Sequence, residues 1–475
     1  MRNVSIISSE ILSTFPAVDE AQVDKLLAEE LAELNRKIVV LDDDPTGVQT
    51  VHGISVFTNW EKDTMRQGFQ EENSMFFILT NSRAFSAAQT ADVHRTIISH
   101  LVEAADGDFI VISRSDSTLR GHYPLETLTI KEELERLTDK RIHGEIIIPF
   151  FKEGGRCTID GVHYVQEGDN LIPAGMTEFA KDVSFGYQAS HLGDWCAEKT
   201  AGEFDPADMV YISLESLRKL DIDAITAQLM GVEGFNKIIV NAVDYVDVKV
   251  FAIALARAMK AGKEFIIRGA AAISKVLGGV PDKPLLTKAE LIPEENANGG
   301  ILIVGSHVQK TTEQLKELMK SDLPIEYIEF NQHLALDEAK LKAEVKRVAE
   351  LTDSKIRQGQ SVAVYTKRER LDLDTDDKAQ QLALSVRISE AVTSIFSQLT
   401  VRPNFIVAKG GITSSDVGTK GLKVQRATVM GQIKPGIPVW MTGSESKFPN
   451  MPYVIFPGNV GGPTTLREVL EILMK

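Results

Sequence analysis

The chain has 475 residues, a formal net charge of -15, and is 43% hydrophobic and 25% charged, with an isoelectric point near 5.2. That length exceeds one ordinary core and points to two domains or three, and the acidic balance argues against a nucleic-acid partner, whose phosphates are bound by clustered Lys and Arg. Two cysteines, Cys157 and Cys196, exclude a disulfide framework and a cysteine-based zinc cluster; with no apolar run near the roughly 20 residues of a membrane span and no basic-then-apolar start, the expectation is a cytoplasmic protein without a membrane partner.

Taken in order, residues 8–36 carry Ile11, Leu12, Val23, Leu26, Leu27, Leu31 and Leu34 at helical spacing, which predicts an amphipathic helical lead-in over 1–36 packed on the first domain. The apolar run Val39-Val40-Leu41 then stops abruptly in Asp42-Asp43-Asp44-Pro45-Thr46-Gly47. This is a buried strand running into a charged turn, and the loops after strands in open α/β sheets form the ligand crevice. A solvated acidic turn capped by Asp44 or Thr46 is the bland alternative; three adjacent acids favour a site.

Further strands are expected at 54–58 and 75–80, the second ending in Asn81-Ser82-Arg83. A helix near 86–104 and a strand at 108–112 lead into Ser113-Arg114-Ser115-Asp116-Ser117-Thr118-Leu119-Arg120-Gly121. Three strand ends thus carry hydroxyls, carboxylates and arginines; singly, Arg83 or Arg120 reads as a surface ion pair. A strand at 146–150, a hairpin over 154–164, strands at 210–212, 238–241 and 265–268, and helices near 222–231 and 248–261 continue an α/β rhythm. Asp244 and Asp247 read by default as a helix start.

Glycines, prolines and charges over 278–300 mark a boundary, which assigns 37–285 to an N-terminal domain, 286–300 to a linker and 301–475 to a C-terminal domain. The latter reads as a small parallel α/β layer structure, with strands at 301–304, 324–330, 361–366 and 404–408 and helices near 311–319, 336–351 and 377–398. It carries three glycine turns after strands: Gly305-Ser306-His307, Lys409-Gly410-Gly411-Ile412-Thr413-Ser414 and Pro457-Gly458-Asn459-Val460-Gly461-Gly462. Glycine lets backbone N–H groups approach an anion closely, so these are candidate phosphate cradles. Neither a GxxxxGK[ST] nor a GxGxxG pattern occurs. An acidic, arginine-lined pocket in one domain and a phosphate cradle in the other suggest phosphoryl transfer across an interdomain cleft, with a metal ion offsetting phosphate charge and Asp43 or Asp44 serving the acceptor hydroxyl. Magnesium would need only one or two carboxylates; no ligand set is read for it.

Together, the runs Asp42 to Thr50, Thr80-Asn81-Ser82-Arg83, Ser113 to Gly121, Lys409 to Ser414 and Pro457 to Gly461 resemble the four-carbon acid sugar kinase family over nearly the whole chain. The resemblance implies two α/β domains, each a mainly parallel sheet flanked by helices, and an ATP- and Mg2+-dependent kinase acting on the terminal (C4) hydroxyl of threonate, erythronate or 3-oxotetronate. It implies that Asp43, Arg83, Arg114, Ser115, Asp116 and Ser117 bind the sugar acid. It implies ATP contacts at Ser306, at Gly410, Gly411, Ile412 and Thr413, and at Gly458, Asn459, Val460 and Gly461. Many relatives carry an acid in place of Ile412 and a lysine in place of Arg114. On this reading Asp43, or failing it Asp44, orients the hydroxyl, Arg83 and Arg114 hold the carboxylate, and glycine-turn amides hold the leaving diphosphate; the oligomeric state is left open, a homodimer included.

Two rivals remain. Asp42-x-Asp44-x-Thr46 also matches the DxDx[TV] pattern of haloacid-dehalogenase-type phosphatases, with Asp42 as nucleophile and Asp44 as acid/base. A non-catalytic sensor of a sugar acid or nucleotide is the other. His52, His122, His163 and His307 read as packed or capping residues rather than catalysts, Trp60, Trp195 and Trp440 as core or domain contacts, and Tyr164 and Phe185 as candidates to line the pocket.

Overall fold

The computed structural model describes residues 4–294, 296–373 and 378–475. Two compact units divide the chain: Met1–Gly47 with Asn59–Asp282, and Val48–Thr58 with Lys283–Lys475. The second unit therefore takes in residues 48–58, within the stretch read as N-terminal domain.

The first unit is built on seven strands in the order Val210–Ile212, Asn236–Val240, Gly144–Ile148, Phe265–Gly269, Phe109–Arg114, Lys37–Asp42 and Met75–Leu79, every neighbouring pair parallel. β-branched runs such as Ile38-Val39-Val40 and Ile146-Ile147-Ile148 are buried on both faces, as a sheet covered by helices requires. The chain leaves Lys37–Asp42 toward the Met75–Leu79 edge and leaves Phe109–Arg114 in the opposite direction. These two strands are neighbours, so their carboxyl ends border a topological switch point, where such sheets bind ligands. Arg156–Ile159, Val162–Glu167 and Asn170–Pro173 form a small antiparallel sheet with Ile7–Ser8.

The lead-in is not one helix. Ile7–Ser8 is a short strand, Ser9–Thr14 a 3-10 turn, and the α-helix spans only Glu20–Leu34, because Pro16 forces extended backbone before it and Asp19 caps its start by accepting from the Gln22 N–H. This helix packs on Tyr245–Lys260, with Glu30 paired to Arg257 and Lys260. Asp244 and Asp247 form the capping box of that latter helix.

The second unit orders its strands Ser55–Phe57, Arg426–Lys434, Ile437–Thr442, Pro452–Phe456, Ile406–Lys409, Ile301–Val304, Ser361–Thr366 and Ile325–Phe330. The last five run parallel, as the expected mainly parallel sheet requires, and Ser55–Phe57, Arg426–Lys434 and Ile437–Thr442 add antiparallel pairs that were not read from sequence. The segment read as a linker is ordered at its start, where Leu286, Leu291 and Ile292 join the unit's apolar core with Leu302, Val407 and Phe456. Here too a switch point lies between neighbours, Ile301–Val304 and Ile406–Lys409.

Candidate functional site

In the first unit the parallel register fixes the site. Asp42 stands opposite Leu79 on one side and Arg114 on the other, and Arg114 opposite Gly269. The ladder continues one step beyond the strands: Asp43 N–H donates to Arg114 O at 3.2 Å, Thr80 N–H to Asp42 O at 2.9 Å and Ser115 N–H to Gly269 O at 2.9 Å. Polar turns that sequence separates by 30 residues or more are thereby set side by side.

The side chains form one ionic cluster. Arg83 reaches Asp43 Oδ2 through Nε at 3.0 Å, Asp44 Oδ2 through Nη2 at 2.8 Å and Asp116 Oδ1 through Nη1 at 3.8 Å. Arg114 Nη1 lies 3.5 Å from both Asp42 Oδ1 and Asp43 Oδ1. Arg120 Nε meets Asp116 Oδ2 at 2.7 Å. The Asp116–Gly121 turn is held from behind by His163 Nε2, which donates to Ser117 O at 2.7 Å, and by Tyr187 Oη, which donates to Thr118 O at 2.7 Å. Burial holds His163 down to about 4, so it acts as a neutral strut.

The four aspartates of the cluster differ in kind. Asp44 Oδ1 accepts from the Thr46 N–H at 2.8 Å; burial pushes its carboxyl up, but Arg83 and the Thr46 hydrogen bonds outweigh that and hold it below the usual range. Asp116 behaves likewise, with Arg120 and Arg83 overriding burial to hold it far down. Asp42 is buried against Gly47, where a Cβ would lie 2.0 Å from Oδ2; burial, with Asp43 and Asp44 adding to it against Arg114, pushes its carboxyl up to about 8. A nucleophile must be ionised, and the upward shift of Asp42 disfavours its charged form, which counts against the phosphatase reading. Asp43 is 2% exposed and neither of its oxygens accepts a hydrogen bond. Burial raises it, Arg83 and Arg114 oppose, Glu126 and Asp44 reinforce, and it settles at about 7. Asp43 is thus poised to exchange a proton near neutrality, and both of its oxygens are left without a hydrogen bond.

Of the residues singled out from sequence, Asp42, Asp43, Asp44, Arg83, Arg114 and Asp116 are gathered here. Ser115 Oγ donates back to Ser113 O at 3.4 Å, and Ser117 contributes its carbonyl to His163, so both serve the turn. Tyr164 lies opposite Cys157 in the small sheet and Phe185 packs edge-on against His122; no contact places either in the cluster. Sequence reasoning passed over Glu126, whose Oε1 accepts from Ser82 Oγ at 2.5 Å, and Arg268, near the carboxyl end of Phe265–Gly269. Both are 2% exposed. A glutamate in a helix's first turn and an arginine ending a strand carry no local signal; only the fold brings them to the same turn.

In the second unit the three glycine turns meet at Ser306. A Cβ on Gly410 would lie 3.0 Å from Ser306 Cβ, one on Gly458 3.5 Å from Ser306 Oγ, and one on Gly305 2.4 Å from Thr413 Oγ1. Gly410 has φ +118, a conformation that glycine adopts freely and side chains do not. Thr311 Oγ1 donates to Gly458 O at 3.3 Å, and Gln314 Nε2 to Val460 O at 3.1 Å and Gly462 O at 2.9 Å. Lys310 Nζ reaches Asn459 O at 3.4 Å. Gly411 opens the short helix Gly411–Asp416, Gly461 turns back on Thr465, and Ile412 is 64% exposed beside them. Lys409 is fully buried, donating to Pro457 O at 2.6 Å, and so braces the turn instead of reaching a ligand. Arg368, which sequence reasoning did not single out, donates to Ser306 O and brings a half-buried cation to this place. His307 donates to or accepts from its neighbours, lying 3.0 Å from Lys367 O, a packing role. Trp195 and Trp440 are core residues.

Among the described residues no three His, Cys, Asp or Glu side chains gather as a metal site.

Two family models match the chain: a sugar-binding N-terminal domain over residues 38–277 and a nucleotide-binding C-terminal domain over residues 301–466. No curated protein matches it. Among solved structures, it is similar to Haemophilus influenzae protein HI1011, at 16% identity over 92% of this chain and 100% of that one, with a TM-score of 0.59. It is similar also to a Salmonella typhimurium LT2 protein, at 16% identity over 91% of this chain and 98% of that one, with a TM-score of 0.63. At such identity the likeness speaks for the fold alone. No helix among the described residues is long and apolar enough to cross a membrane.

Proposed function

The chain belongs to the four-carbon acid sugar kinase family, and from that premise we propose that it transfers the γ-phosphate of ATP to the terminal (C4) hydroxyl of a four-carbon sugar acid of the threonate, erythronate or 3-oxotetronate type. The observation that carries the reading is Asp43: a buried carboxyl at the switch point of the sugar-binding unit, free of hydrogen bonds and held at about 7 between two arginines. A general base needs that tuning to accept a proton from an alcohol at neutral pH.

In the proposed step the terminal hydroxyl oxygen bonds to the γ-phosphorus, its proton passes to Asp43, the bond from that phosphorus to the β,γ-bridging oxygen breaks, and ADP leaves. Arg83 holds Asp43 and Asp44 in place. Backbone N–H groups of the turns around Ser306, Gly410 and Gly458 receive the diphosphate, with Arg368 adding positive charge. A magnesium ion bound with the nucleotide would offset the charge on its phosphates. Ile412, exposed at the edge of the cradle, contributes an apolar surface. Catalysis of this kind rests on positioning and electrostatics, and the reaction requires the acceptor and the nucleotide to be brought together in the reacting complex.

The test is a coupled ADP-release screen with MgATP against the threonate, erythronate and 3-oxotetronate stereoisomers, with product mapping to locate the phosphate. Acid-dependent ADP release with a 4-phosphate product is expected. ADP release no faster with any acid than without one overturns the proposal, and phosphate release from a phosphorylated acid without ATP would return the phosphatase reading.

A further inference from the structure

Within the sugar-binding unit the arginines are not equally available. Arg83 is shared among three carboxylates and Arg114 between two, while Arg120 is committed to Asp116 and Asp182. Each of these cations is already matched by protein charge. A ligand carboxylate arriving at any of them would have to compete with a carboxylate already paired to that cation.

Arg268 is different. It is 2% exposed, yet among the described residues it has no ion-pair partner. Its Nε has no acceptor, and its one hydrogen bond is a long one, 3.3 Å from Nη2 to Arg120 O. The guanidinium carbon lies beside an aromatic pair, 5.1 Å from the Tyr123 ring centroid and 4.9 Å from that of Trp195, two rings stacked on one another at 4.3 Å. A buried guanidinium left with so few acceptors is costly unless something compensates it. Its position says what it faces. The point where a Cβ on Gly121 would sit lies 3.8 Å from Arg268 Nη2, 3.5 Å from Asp43 Oδ2 and 3.8 Å from Glu126 Oε2. Neither Asp43 oxygen nor Glu126 Oε2 has a hydrogen-bond partner. Three buried groups with unused hydrogen-bonding capacity thus front one glycine, and among them Arg268 is the only cation. Arg156 also has an unpartnered Nε, but it lies with Arg120 over the Phe179 ring and no contact brings it to Asp43.

Building on the kinase reading, we infer that Arg268 is the residue that receives the carboxylate of the sugar acid and so sets the preference for an acid over a neutral polyol. Asp43 and Arg268 then address opposite ends of one small molecule, the first a hydroxyl and the second a carboxylate, with Gly121 leaving the space between them open. A guanidinium fork grips a carboxylate through two N–H groups, and the Tyr123–Trp195 pair packs beside it. Arg83 and Arg114 serve instead to hold the aspartates.

The experiment measures equilibrium binding of the threonate and erythronate stereoisomers and of the uncharged polyols threitol and erythritol to the full-length protein, alongside steady-state KM values for acid and ATP. The wild type is expected to bind its acid at least about 100-fold more tightly than the matching polyol. Arg268→Gln should abolish most of that ratio by weakening the acid about 100-fold, with polyol binding and the KM for ATP unchanged. Arg268→Lys, which keeps the charge and the aromatic packing but loses the fork, should weaken the acid about tenfold and is the readout if the glutamine variant does not fold. Equal weakening of acid and polyol, or an unchanged acid affinity in folded Arg268→Lys, overturns the inference. Acid binding that depends on Arg268 without any ADP formed would sink the kinase reading and leave this one standing; turnover of acid with affinity indifferent to position 268 would do the reverse.

Discussion

Replacing Asp43 by asparagine removes the titrating group and its charge toward Arg83 and Arg114 while keeping the shape of the side chain. The side chains are nearly isosteric, the carboxyl accepts no hydrogen bond that would be lost, and its backbone N–H to Arg114 O bond remains. If Asp43 is the base, kcat should fall by about 10²–10⁴, the usual contribution of a positioned proton acceptor, while the KM for ATP, whose cradle lies in the other unit, stays put. The pH dependence is the sharper test. Burial holds Asp43 at about 7, and only the ionised form accepts a proton. The wild-type kcat/KM for the acid should therefore rise about tenfold per pH unit below that value and level off above it, since kcat/KM reports the free enzyme. Stopped assays from pH 5 to 9 at fixed ionic strength, with an excess of coupling enzyme checked at each pH, would trace the limb. In Asp43→Asn the limb should vanish along with the rate. A variant retaining near-wild-type kcat, or one whose residual activity shows the same limb, refutes the assignment.

Asp42 offers a stability test. Its folded value of about 8 lies above the ordinary 3.8, so the native state binds the proton more tightly than the unfolded chain, and the stability this contributes is present at low pH and lost as pH rises toward 8. Asp42→Asn should therefore gain stability relative to the wild type between pH 6 and pH 9 in urea titrations; a constant difference would contradict the burial argument. Gly47→Ala drives a methyl to within 2.0–2.2 Å of the Asp42 carboxylate, an overpacking worth about 1–3 kcal/mol. It should lower the melting temperature and kcat together, and unchanged melting would show that the turn has room. Gly410→Ala combines φ +118 with a Cβ 3.0 Å from Ser306, a strain of about 1–3 kcal/mol. The KM for ATP should rise several-fold or more while affinity for the acid is unchanged; an equal rise in both would detach that turn from the nucleotide.

Much of the scaffold was legible because its signals are local. Apolar β-branched runs such as Val39-Val40-Leu41 and Ile301-Leu302-Ile303-Val304 fall in strands, and the polar turns directly after them fall where a parallel sheet collects its strand ends. The failures have a physical pattern too. Periodicity over 8–36 merged a strand, a 3-10 turn and a helix because the apolar spacing of the 3-10 segment happens to run in phase with Glu20–Leu34. Arg426–Lys434 and Ile437–Thr442 escaped notice: the first alternates buried and more exposed positions along its whole length but holds a glycine in its interior, and the second is an apolar run interrupted by a proline, both of which argue against a strand when read from sequence.

The charge arithmetic of the site was the least legible feature, and it changes the argument most. Sequence places Arg83 and Arg114 beside acids without saying whether those acids neutralise them. The structure shows that they do: Arg83 alone contacts Asp43, Asp44 and Asp116. An arginine so engaged is a poor anchor for a further anion but a good regulator of a neighbouring acid, because it opposes the upward push of burial on Asp43. Without Arg83 that push would go unopposed on one side, and the base would remain protonated at neutral pH. On the proposed reading the cluster tunes one carboxyl, and recognition of the substrate's own charge falls to a cation without an ion pair among the described residues, Arg268.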